Sequence, residues 1–144
     1  MSRTSLDTAA LAHDLRLAVM RLSRRLRNQR VNTEVTLTHL AALSTLKRHG
    51  PMSPGELAGH ERVQPPSMTR VVVALEGMGL VTRTPHPTDG RQVVIDLTDA
   101  AEELLSAEAR AREAWLTGQL EDLSSEERTV LHEAAVIMDK LASG

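Results

Sequence analysis

Residues 64–78 read QPPSMTRVVVALEGM. Met68, Val71, Val72, Leu75 and Met78 fall at i, i+3, i+4, i+7 and i+10, the spacing of a single apolar stripe on a helix. Ser67, Thr69, Arg70 and Val73 lie off that stripe, towards the amino-terminal end. Pro65 and Pro66 suit a first helical turn, where a missing N–H costs little. The stretch therefore predicts a short helix with one buried face and one exposed face carrying small hydroxyls and a single Arg. Such a face fits the major groove of DNA, where Arg bonds guanine and Ser or Thr bonds base edges or phosphate. An ordinary amphipathic helix has the same pattern, so the neighbouring segments decide between the two.

Upstream, Thr36 caps a helix running to about His49, with Leu37, Leu40, Leu43 and Leu46 inside. Gly50 and Pro51 stop it. Ser53, Pro54, Gly55 and Glu56 then match a capping box with Pro at the first helical position, opening a short helix through about His60. Residues 61–64 form a turn into the stretch quoted above. A short helix and a longer one joined in this way have helix-turn-helix spacing. Gly77 and Gly79 end the second helix by taking left-handed conformations.

Downstream, residues 80–84 (LVTRT) and 92–97 (QVVIDL) predict two strands, separated by a tip holding Pro85, Pro87, Asp89 and Gly90. A hairpin beside a helix-turn-helix is a wing. Arg91 sits at its tip, and Asp89 lies close enough to hold the guanidinium for a narrow, electronegative minor groove. On local chemistry alone, Asp89 and Gly90 serve equally well as plain turn formers and Arg91 as a solvated charge.

The two ends predict long helices. Residues 6–30 carry a seam of Leu11, Leu15, Ala18, Leu22 and Leu26, with Arg16, Arg21, Arg24, Arg25, Arg27 and Arg30 mostly off it. That seam can pack on a distant carboxy-terminal helix or on a second copy of the chain. Thr98 caps a helix to about Gln119, with Asp99, Glu102 and Glu103 at its positive end. Leu104, Leu105, Ala111, Trp115 and Leu116 give it an apolar side. Ser124 and Glu127 box the start of a last helix to about Leu141, whose stripe is Val130, Leu131, Ala134, Ile137, Met138 and Leu141. The fold class is mostly α with a small β-hairpin.

Composition limits what this fold can do. With 144 residues the chain is long enough for one domain with a real core. It has one Trp, no Phe and no Tyr, so that core is Leu, Val, Ala and Met. It has no Cys, which excludes disulfides, thiol nucleophiles and Cys-type zinc sites. His13, His39, His49, His60, His86 and His132 are scattered without an i, i+4 pair, so no metal and no cofactor is expected. No run is long and apolar enough for a membrane span and no signal peptide is visible, so the cytoplasm is the default location. Gly55, Gly59, Gly77 and Gly79 match no phosphate-cradling loop, and the Glu-rich segment 102–127 reads as solvated helix surface, so an enzyme is not expected. The formal charge of -2 hides an asymmetry: residues 1–50 sum to +6, and residues 98–144 to -7. The central segment is not basic, so a DNA reading cannot rest on bulk charge.

In order and spacing these residues resemble the MarR family of bacterial transcription regulators. GLVTR at 79–83, PHPTDGRQVVIDLT at 85–98 and the capped helix after it are similar to that family's wing. SMTR at 67–70, followed by Leu75-Glu76 and Gly79-Leu80, is similar to its recognition helix. The resemblance covers nearly the whole chain. It implies a winged helix-turn-helix region over 36–98 between dimerisation helices over 6–30 and 99–141. It implies an obligate homodimer whose terminal helices interleave, binding a pseudopalindromic operator in double-stranded DNA, most often as a repressor. By this resemblance Ser67, Thr69 and Arg70 contact the major groove, and Arg91 enters the minor groove with Asp89 orienting it. Pro66, Thr36 and Thr38 meet phosphates. A small-molecule effector is a further partner in many relatives, but this chain has almost no aromatics to line a pocket, and Trp115 is better used in packing. The competing reading is a helical protein–protein interaction module whose wing meets no DNA.

Overall fold

The computed structural model describes residues 7–144, so Leu6, counted above in the first helix, lies outside the described residues. The helices are α1 (Thr8–Arg27), α2 (Leu37–His49), α3 (Pro54–Glu61), α4 (Pro65–Gly77), α5 (Asp99–Glu121) and α6 (Ser125–Ser143); the strands are β1 (Val81–Pro85) and β2 (Val93–Leu97). The chain divides into two compact units: Arg30–Arg110, and the residues up to Gln29 together with Ala111–Gly144.

In the first of these, local chemistry starts each helix. Thr36 Oγ1 accepts the His39 N–H at 3.2 Å while His39 Nδ1 accepts the Thr36 N–H at 3.1 Å, a reciprocal box with His where Glu or Gln is usual. Ser53 and Glu56 form the expected box on α3. The turn into α4 is made by Arg62 at φ 54°, with Val63 N–H donating to Ala58 C=O at 3.1 Å. After α4 the left-handed residue is Gly79 at φ 74°; Gly77, expected to share that role, stays helical.

The strands start one residue later than the pattern suggests. Leu80 N–H donates to Leu75 C=O at 2.9 Å, closing the helix, and is lost to the sheet. Gln92 N–H turns inward to Asp89 C=O at 3.0 Å. The antiparallel register then runs from Val81 opposite Leu97 to Pro85 opposite Val93. Met52, just before α3, adds a bridge to Ile95, with bonds of 3.2 and 2.7 Å in the two directions.

Leu43, Leu57, Met68, Val72, Leu75 and Ile95 form the centre of the core. Two expected core residues are exposed. Leu37 is the first residue of α2, at the helix end, and is exposed, while Ala42, off the expected stripe, is buried. Met78 follows the last helical residue of α4 and is carried off the stripe.

One carboxylate overturns the reading of the acidic segment as solvated. Glu108 is completely buried. Its oxygens accept the Val31 N–H at 3.1 and 3.2 Å and the Asn32 N–H at 3.2 Å, and Arg30 Nε lies 3.5 Å away, an ion-pair distance. Arg30 also donates to the carbonyls of Val35 and of Asn32. A buried charge needs such partners, because solvation is lost and Coulomb attraction alone seldom repays it.

In the second unit, the Ser124 and Glu127 box opens α6, and Arg128 Nη1 donates to the Leu123 carbonyl at 2.6 Å, closing the end of α5. Arg25 stacks over the half-buried Trp115 ring at 5.1 Å, a cation–π contact. Neither α1 nor α6 has a buried residue. Leu11, Leu22, Val130, Ile137 and Leu141 of their seams are exposed.

Replacing Glu108 with Ala strands the Arg30 charge and two N–H groups. Urea unfolding at fixed protein concentration should show a loss of about 3–5 kcal/mol. Glu102→Ala, which breaks an exposed pair with Lys47, should cost under about 1 kcal/mol. Equal effects of the two would contradict the structural role given to Glu108.

Candidate nucleic-acid interface

The exposed side of α4 is set by the side that is buried. Met68, Val72 and Leu75 point inward, so Pro66, Thr69, Arg70 and Val73 fall on one outward ridge, with Ser67 half-buried at its edge. Thr69 Oγ1 donates to the Pro65 carbonyl at 3.0 Å, which leaves its lone pairs as acceptors. Arg70 Nη2 reaches Ser67 Oγ at 3.5 Å, the outer limit of a hydrogen bond, and its other donors have no partner among the described residues. Thr36 and Thr38 are exposed at the start of α2. The Thr36 oxygen is engaged by the His39 N–H, so its own hydrogen remains to donate.

The wing tip is ordered by two side chains. Asp89 Oδ1 accepts the Arg91 backbone N–H at 3.1 Å and approaches Arg91 Nε at 3.5 Å, while Oδ2 accepts from Gln92 Nε2 at 3.4 Å. The Arg91 side chain is 94% exposed. Its terminal fork is therefore free, and Asp89 touches only the near edge of the guanidinium. His86 is the residue that sequence reasoning missed. Its Nδ1 accepts the backbone N–H groups of Thr88 at 3.2 Å and of Asp89 at 3.1 Å, so the ring carries its hydrogen on Nε2. His86 N–H closes the loop on Gln92 C=O at 3.0 Å. The available signal was a side-chain acceptor followed two and three residues later by turn N–H groups, the arrangement usually supplied by Asp or Asn.

Arg83 is not part of this free set: it bonds Glu76 at 2.8 Å and ties β1 to α4. Among the described residues no group of three His, Cys, Asp or Glu is placed to hold a metal ion. A cavity of about 650 Å³ opens elsewhere in the same unit, lined by Asn32, Glu34, Val35, Met78, Glu103 and Leu104 among others. It shares no residue with the ridge or the wing tip.

A short helix, a turn, a ridge-bearing helix and a hairpin with a free Arg fork form a winged helix-turn-helix. The model of the MarR family matches residues 35–93. The HTH-type transcriptional regulator MT0903.1 of Mycobacterium tuberculosis is 52% identical over 130 residues, covering 90% of this chain and 91% of that protein. The chain belongs to the MarR family. It is a DNA-binding transcriptional regulator, and the relatives it matches are regulators, not enzymes. The HTH-type transcriptional repressor NicR of Pseudomonas putida is 31% identical over 100 residues, covering 69% of this chain and 63% of NicR. The transcriptional regulator Tm0710 of Thermotoga maritima superposes with a TM-score of 0.79 at 26% identity, covering 95% of this chain and 99% of that one.

His86→Ala should loosen the wing tip of this MarR-family chain. Amide exchange at Thr88 and Asp89 should speed roughly five- to tenfold, since each bond contributes about 1 kcal/mol. His86→Asn, which keeps an acceptor, should stay near the parent rate. Unchanged exchange in the Ala variant would remove His86 from this role.

Proposed function

We propose that this regulator is a homodimeric repressor of a pseudopalindromic operator. In this reading Ser67, Thr69 and Arg70 meet base edges in the major groove. The Arg91 fork enters the minor groove, with Asp89 setting its direction. Pro66, Thr36 and Thr38 lie against phosphates. The observation that carries the reading is the exposed donor set: Arg70 meets no carboxylate among the described residues, and Arg91 is held only at Nε by Asp89, which leaves its terminal NH2 groups facing solvent. A fork of this kind matches guanine and narrow-groove acceptors. Residues 36–98 are the DNA-binding region and residues 6–30 and 99–141 the dimerisation helices. The exposed seams of α1 and α6 support a second copy as their cover, because apolar stripes of that length are seldom left in water. Repression follows NicR, which carries that description. No described helix is long and apolar enough to cross a membrane, and in this reading the dimer works in the cytoplasm, where its DNA lies.

A small-molecule effector is a further partner in this reading. The open, largely polar groove of about 650 Å³ is the place in this unit where it would sit. Glu34 and Glu103 line it and no basic residue does, so it disfavours an anion.

Binding to duplexes drawn from the region upstream of the gene should weaken steeply with salt, each phosphate contact adding about 0.9 to the log–log slope. Arg91→Ala and Arg70→Ala should each cost about 1–3 kcal/mol per site in gel-shift titrations. Affinity that is flat in salt and blind to both substitutions would favour a protein-binding module instead.

A further inference from the structure

Val73 sits in the middle of the α4 ridge and is 55% exposed. It follows Thr69 by four residues and Arg70 by three, so the three side chains share one face. Its neighbour Val72 is fully buried and belongs to the core, whereas Val73 leaves more than half its surface in solvent. A β-branched residue is also a poorer helix former than Ala at an exposed site, so local propensity does not call for it. An isopropyl group can neither donate nor accept a hydrogen bond. On a ridge whose other members offer hydroxyls and a guanidinium, it offers an apolar surface for a partner to meet. In the major groove the base edges present only one, the C5-methyl group of thymine.

We infer that Val73 is a specificity-determining residue that selects thymine by methyl contact. The inference rests on the groove reading of α4 proposed above. Val73 lies about 4.5 Å along the helix axis from Arg70. The thymine therefore falls one or two base pairs from the pair that Arg70 reads, once in each half-site.

The test combines a protein variant with an altered base. Duplexes that bind the intact chain are selected from a random-sequence pool. Each thymine of one selected duplex is then replaced singly by deoxyuracil, which removes only the methyl group. The intact protein should lose about fourfold in affinity at one thymine per half-site, the worth of about one buried methyl. Val73→Ala should bind the thymine and uracil forms of that position equally, with an unchanged unfolding midpoint. A uracil profile identical in the two proteins overturns the assignment of Val73 while leaving the groove reading intact. An intact protein that retains no duplex at low ionic strength overturns the groove reading, and this inference with it.

Discussion

The burial of one helical seam governs the winged unit. Met68, Val72 and Leu75 have essentially no exposed surface, and they pack into a core with Leu43, Leu57 and Ile95. Nothing local holds α4 in place as firmly. Gln64 makes no side-chain cap, and the two prolines at the start only remove donors that would lack partners. The helix is therefore oriented by tertiary packing, as most protein helices are. Each large seam residue contributes about 2–5 kcal/mol of the kind lost on truncation to Ala. Because successive residues turn by a fixed angle, burying that seam leaves no freedom in which residues face outward. Pro66, Thr69, Arg70 and Val73 form a ridge as a consequence.

The same constraint extends to the wing. Leu80 and Val81 are buried beside the seam, and Arg83 is tied back to Glu76 on α4. The hairpin thus leaves the core in a set direction, and the Met52 bridge to Ile95 anchors its second strand. What remains adjustable is the tip, where His86 and Asp89 replace an extended strand with a bonded turn. Arg91 projects from that turn with its fork uncommitted. The hairpin is thus ordered at its base and exposed at its tip.

Features written in short-range chemistry were legible in the sequence. The boxes at Ser53 and Ser124 and the Thr36 and Thr98 caps depend on residues three apart, and all four caps form. The start of the first strand was off by one residue because Leu80 belongs at once to a helix end and to a strand pattern, and the helix takes its N–H. Leu37 and Met78 fit the stripe but fall at helix ends, where periodicity no longer decides burial. Glu108 could not have been found at all: its partners Val31 and Asn32 lie 77 and 76 residues away, and Glu-rich helices are usually solvated. At the site, Arg70 was visible as a charge off the apolar stripe and Arg91 as a tip residue with Asp89 two positions before it, whereas His86 acts only through loop geometry.

The central claim is that two copies hold two such ridges against one duplex at a separation fixed by symmetry. A hydroxyl-radical footprint on a selected duplex tests it directly. The account predicts two protected tracts related by a two-fold axis, their centres about one helical turn, about 34 Å, apart. A single protected tract, or tracts whose spacing varies from one duplex to the next, would contradict it.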